Sequence, residues 1–200
     1  MPEQVVKLKK KQWYPIIAPK LFNNAFLGET LVYEPQQIIG KTLSQSLMNL
    51  TSDVKRQNVN IHFKVVEIDN NKAKTIIIGY EIIPSSVKRF VRRASKKMDI
   101  SFTCETADNV FLRVKPLVVA KANIKGSIAA KLRNSVINNL TKNIKKMQYE
   151  EIISELILRK LQESLRDNLK KIYPLKVCEI RYLGIEAREK PQEMVKAEQK

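Results

Sequence analysis

Apolar residues fall on every second position in two parts of the chain. Val59, Ile61, Phe63 and Val65 alternate with Asn60, His62 and Lys64, and after Asp69-Asn70-Asn71 a second run carries Ile76, Ile78, Tyr80 and Ile82. A period of two sends successive side chains to opposite faces of a strand, so this pair predicts a hairpin with one buried face. Ile100, Phe102 and Cys104, the turn Ala107-Asp108-Asn109, then Val110, Leu112 and Val114 predict another, with Arg113 and Lys115 opposite the core face. Strands are also expected around Leu31-Val32-Tyr33 and over residues 41–50, with a turn region at 35–40 between them. A closing strand is expected from after Pro174 through about Ile185, with Cys178, Ile180 and Tyr182 alternating against Val177, Glu179 and Arg181.

Elsewhere the period lengthens. Pro84-Ser85-Ser86 is a start signal for a helix whose Val87, Phe90, Val91 and Ala94 share one face and whose cations occupy much of the other. Gly126-Ser127 precedes Ile128, Leu132, Val136, Leu140 and Ile144, spaced by four, which predicts a long amphipathic helix with Ser127 as N-cap. A helical wheel gathers Lys131, Asn138, Lys142 and Lys145 away from that stripe. Residues 150–173 predict one further helix, with Leu156, Leu161, Leu165 and Leu169 on its apolar side and five acids balanced by five bases. Trp13, Tyr14, Ile16 and Ile17 bring apolar bulk, but Pro15 and Pro19 forbid a helix, so an extended segment packed across the body is expected. The pattern as a whole is α+β: an antiparallel or mixed sheet, two long helices in the C-terminal half and one shorter basic helix. Residues 1–12 read as a basic flexible arm, 13–189 as one α+β domain, and 190–200 as a polar tail.

Charge sharpens this picture. Between Asn109 and Tyr149 the chain has no Asp or Glu yet carries nine cations: Arg113, Lys115, Lys121, Lys125, Lys131, Arg133, Lys142, Lys145 and Lys146. Residues 4–28 also lack acids and hold Lys7, Lys9, Lys10, Lys11 and Lys20, and a third knot comprises Lys88, Arg89, Arg92, Arg93, Lys96 and Lys97. The formal net charge is +17. Such segregation implies a polyanionic partner, because like charges at i,i+4 spacing repel unless screened or bound. Nucleic acid is the reading these residues favour over an anionic membrane, since lysines and arginines neutralise phosphates and release counterions. Trp13 and Tyr14 read first as core anchors; base stacking is the alternative that keeps them among the candidate RNA contacts.

Catalytic and metal chemistry find little footing. His62 is the single histidine and sits at an alternating strand position with no nucleophile partner identifiable from spacing. Cys104 and Cys178, the only thiols, lie in apolar alternating segments, which suits buried reduced cysteines and an intracellular setting. One histidine and two distant cysteines fall short of a zinc set. The five glycines are isolated, with no phosphate-cradling spacing. No cofactor is expected. No apolar run reaches the roughly 20 residues that span a bilayer, and the basic start followed by Trp13-Tyr14-Pro15 lacks the apolar core of a secretory signal.

Lys10-Lys11-Gln12-Trp13-Tyr14, then Ala18-Pro19, Phe22-Asn23, Gly28 and Thr30-Leu31-Val32, resembles the N-terminal signature of the S3Ae family of archaeal and eukaryotic small-subunit ribosomal proteins. Lys145-Lys146-Met147 and Ile172-Tyr173-Pro174-Leu175 resemble it in the same order, so the likeness covers about residues 7–189. Ends shorter than the eukaryotic pattern favour the archaeal version. The resemblance implies a β-barrel-like sheet, a ribosome-bound, cytoplasmic protein that is not an enzyme, and a seat on the small-subunit platform near the messenger exit. It implies ribosomal RNA and neighbouring small-subunit proteins as partners, messenger RNA as a further candidate, and no membrane. A general nucleic-acid-binding or architectural protein is the alternative, and an RNA-processing enzyme a more distant one.

Overall fold

The computed structural model describes residues 10–69, 71–91 and 95–186. Among them nine strands form one open mixed sheet. The first hairpin is β4 (Val59–Asp69) and β5 (Lys72–Ile82), antiparallel, with Ile61, Phe63 and Val65 buried and Lys64 exposed as alternation requires. On β5 Tyr80 and Ile82 are buried as expected, but the register slips between His62 and Phe63, so Ile77 is buried in place of the expected Ile76, and Ile76 is exposed. β4 also pairs with β3 (Thr42–Ser46). The far edge of β5 is shared: β1 (Gln12–Ile17) pairs parallel at its start and β9 (Leu175–Ile185) antiparallel near its end. β2 (Phe26–Val32) flanks β1. Beyond β9 lies β8 (Phe111–Ala120), to which β6 (Lys97–Asp99) and β7 (Phe102–Glu105) pair as short edge strands.

The sheet is not a closed barrel, because its outer members β2 and β6 do not pair with each other. The strand expected over residues 41–50 stops at Ser46 and gives way to a one-turn helix, α1 (Leu47–Thr51), whose Leu47 is buried. The proline-rich N-terminal segment is a true strand, and its alternation buries Tyr14 and Ile16 while leaving Trp13 63% exposed. Trp13 is therefore not a core anchor; Tyr14 is. Phe22 closes this end of the core by an edge-on contact with Phe63, ring centroids 5.9 Å apart.

Three further expectations on the helices change. α2 (Pro84–Phe90) begins as predicted, with Pro84 in its first turn, but ends before the basic run does. Val91 is extended, and Lys97 already belongs to β6. A helix continued to Lys97 would have stacked Lys88 on Arg92 and Arg89 on Arg93 at i,i+4 spacing. α3 (Gly126–Ile144) buries Leu132, Val136, Leu140 and Ile144 as its spacing predicts, but its N-cap is Lys125, and Ser127 falls inside the first turn. The helix expected over 150–173 is two: α4 (Tyr149–Ile157), held by a capping box between Gln148 and Glu151, and α5 (Lys160–Lys170). Arg159 breaks them with a left-handed backbone, φ 64°. α5 packs on β9 and against both α3 and α4, so the apolar faces of the three helices and of the sheet make one core.

Most of residues 1–12, the expected arm, and all of the tail at 190–200 lie outside the described residues, as do Lys7, Lys9, Arg92 and Arg93.

Candidate nucleic-acid interface

α3 is built by the opposition of two faces. Its stripe of four-spaced apolar residues is sealed against the body, which leaves Lys131, Arg133, Asn134, Asn138 and Lys142 exposed. Lys145 and Lys146 follow the last turn and are exposed too. Cations there are favoured by the negative end of the helix dipole. Among the described residues no carboxylate forms an ion pair with any of these lysines or with Arg133. The face is held in place at its end: the Ala107 N–H donates to the Met147 carbonyl (3.2 Å), and the Tyr149 N–H to the Asp108 carboxylate (2.9 Å).

The approach to α3 collects more charge from a distant part of the chain. The Ala120 N–H donates to the Lys96 carbonyl at 3.0 Å, so the start of β6 lies beside the end of β8. This brings exposed Lys96 next to the segment that carries exposed Lys121 and Lys125 into α3. Lys97 is nearby but half-spent, its ammonium 2.7 Å from Asp99. Arg113 is tied to Glu186 by contacts of 2.7 and 2.8 Å, so it presents little charge outward.

The other candidates are elsewhere. Lys88 and Arg89 are exposed on α2. Lys10 and Lys11 precede β1, which β5 and β9 separate from β8; Lys11 lies over the Tyr33 ring, 5.1 Å from its centroid. Lys20 lines a cleft of about 800 Å³ shared with Asp69, Lys72, Lys74, Tyr149 and Glu150, a mixed-charge neighbourhood distinct from α3. Exposed Trp13 keeps the geometry to stack on a base, and buried Tyr14 does not.

A group absent from the sequence-based expectations lies on the outer face of the sheet. Lys88, Lys97, Lys115 and Arg181 line a cavity of about 300 Å³ with Glu81 and Tyr182. Alternation alone would put Tyr182 on the side of buried Cys178 and Ile180, but the β8–β9 register slips: Lys115 pairs with Tyr182 and Pro116 with Ile180. Pro116 has no N–H to give the ladder, and the extra residue opposite it, Arg181, forms a bulge. Arg181 and Tyr182 therefore both leave the core face.

The remaining titratable groups are structural in setting. Burial pushes the Cys104 thiol up to about 11 and the Cys178 thiol up to about 12, the reverse of an activated nucleophile. His62 approaches Glu81 at 3.3 Å on the outer face. Among the described residues no trio of His, Cys, Asp or Glu is placed to hold a metal, and no helix is long and apolar enough to cross a membrane.

The model of the ribosomal S3Ae family matches residues 3–188. A protein of Nanoarchaeum equitans named small ribosomal subunit protein eS1 is 31% identical over 182 residues, 91% of this chain and 92% of its own. The proteins of that name from Halorubrum lacusprofundi and Saccharolobus islandicus are 30% and 31% identical; the matches cover 96% and 87% of this chain and 88% and 84% of theirs.

Proposed function

Because the chain belongs to the ribosomal S3Ae family, we propose that it is a structural constituent of the small ribosomal subunit and acts by neutralising ribosomal RNA phosphates. The observation that carries the phosphate assignment is α3: a helix with one sealed face and an acid-free, unpaired cationic face. Lys131, Arg133, Lys142, Lys145 and Lys146, extended by Lys96, Lys121 and Lys125, are the assigned backbone contacts. Lysines predominate among them, which suits positioning on phosphates more than forked readout of bases. Lys10, Lys11, Lys20, Lys88 and Arg89, with Lys7, Lys9, Arg92 and Arg93, make a second set of contacts, and exposed Trp13 stacks on an unpaired base.

The role is scaffolding in the cytoplasm, without turnover. α4 carries Glu150, Glu151 and Glu155 without a base, α5 mixes acids with bases, and the two serve contacts with neighbouring small-subunit proteins. The family likeness supports a seat on the platform near the messenger exit, with messenger RNA as a further candidate partner.

Sedimentation tests this reading. The protein should travel with the small subunit at moderate salt and leave it at high salt, and Lys131→Glu/Lys142→Glu/Lys145→Glu should incorporate poorly while keeping its circular dichroism. Normal incorporation of the triple variant would reject α3 as the contact. Recovery of the protein chiefly with DNA would favour the architectural alternative.

A further inference from the structure

The cavity at the Arg181 bulge has the chemistry of a nucleotide site. Its four cations come from four elements: Lys88 from α2, Lys97 from β6, Lys115 from β8 and Arg181 from β9. Two carboxylates oppose them. Asp99 meets Lys97 at 2.7 Å and Arg181 at 3.8 Å, and Glu81 meets His62 at 3.3 Å. Two net positive charges remain around a concave space of about 300 Å³. That space is at the lower end of the range for small-ligand sites and too small for a duplex.

An aromatic surface completes it. The Tyr182 ring lies over Gly184, where a Cβ would stand 2.8 Å from the ring Cζ, so only glycine lets the ring lie down along the strand. The Lys115 ammonium lies over the same ring, 4.7 Å from its centroid. A phosphate competes for that ammonium more strongly than a ring does, since the ring offers only its quadrupole. Drawing Lys115 off uncovers the ring for a base.

We propose that this cavity takes one unpaired nucleotide extruded from an RNA helix, its phosphate held by Lys115 and Arg181 and its base laid on Tyr182. The proposal rests on the RNA-binding reading above and adds to it a preference for unpaired residues. Single-stranded bases are commonly held on aromatic rings in this way. The phosphate contacts of α3 confer no such preference, because they neutralise backbone alone.

The test is a titration of the full-length protein with two RNA hairpins of identical stem, one fully paired and one with a single bulged adenosine. The bulged hairpin should bind roughly tenfold tighter. Tyr182→Leu should lose that preference, Tyr182→Phe should keep it, and Arg181→Gln should reduce it. Lys131→Glu should weaken both hairpins alike. Equal affinity of the unaltered protein for the two hairpins, or a preference retained by Tyr182→Leu, would overturn the pocket and leave RNA binding intact. Loss of the preference in the presence of micromolar adenosine monophosphate would make this a free-nucleotide site and overturn the RNA assignment. Binding to neither hairpin would remove the RNA reading and the pocket with it.

Discussion

Arg159 turns the chain between α4 and α5 in a left-handed conformation, φ 64°, and its guanidinium comes within 3.8 Å of the largely buried Glu179 carboxylate on β9. One residue thus supplies both the corner and a partner for an acid beneath it. The left-handed conformation costs a residue with a Cβ about 1 kcal/mol or more, and glycine escapes that cost. Arg159→Gly should therefore be more stable than Arg159→Ala by about 1 kcal/mol, although both lose the same ion pair. Urea denaturation of the two variants measures the difference, and equal midpoints would mean that the corner is unstrained.

Glu179 itself should make stability depend on pH in an unusual direction for an acid. Burial pushes its carboxyl above the ordinary glutamate value of 4.5, and Arg159 and Arg166 pull it only partly back. The folded state then holds the proton more tightly than the unfolded chain, so this group's contribution is greatest at low pH and is lost as pH rises through the raised value. The stability of the unaltered protein minus that of Glu179→Gln should accordingly grow as pH is lowered from neutral toward 4.5. A difference that stays flat, measured by thermal or urea unfolding across that range, would contradict the assignment.

The thiols should be silent in the folded protein. Burial is the main cause that raises both; Lys145 moderates Cys104, and the Glu179 charge adds to Cys178. Reaction requires the thiolate, which is scarce at neutral pH for either group. A small disulfide reagent at pH 8 should label neither cysteine natively and both in denaturant, with Cys104 the first to react as denaturant rises. Rapid native labelling would show that one of these strands opens locally.

How far these relationships could be read from the chain depends on whether a local period controls them. The two hairpins are legible because a half-buried sheet forces alternation, except that the slip opposite His62 and Phe63 exchanges Ile76 for Ile77 on the core face, and the α3 stripe is legible because a helix packed on one side forces spacing by four. Trp13 also obeyed alternation: once Tyr14 and Ile16 point inward, it must point out, and its bulk alone suggested otherwise. The Arg181 bulge was hidden because apolar residues continue on both sides of it; Pro116, inside an apolar strand run, was the available signal. The corner at Arg159 had no glycine or proline to mark it. The meeting of Lys96 with Lys121, and of Lys88 with Arg181, depends on strand order across the sheet, which no short-range pattern encodes.

Salt dependence offers the most direct measure of what the α3 face does. Each phosphate that a lysine neutralises releases condensed counterion, so the logarithm of affinity falls with the logarithm of salt by about 0.7 to 0.9 per contact. Lys131, Lys142 and Lys145 are exposed, and among the described residues none has an ion-pair partner, so replacing them costs the fold no ion pair. Lys131→Gln/Lys142→Gln/Lys145→Gln should thus lower the slope by roughly two to three and leave the melting temperature nearly unchanged. Arg113→Gln makes a useful contrast, because its guanidinium is engaged by Glu186 at 2.7 Å. That variant should scarcely alter the slope and should weaken the packing of Glu186 against β8. If the slope of the triple variant matches that of the unaltered protein, phosphates are neutralised elsewhere, and the cationic face of α3 is only a solvated surface.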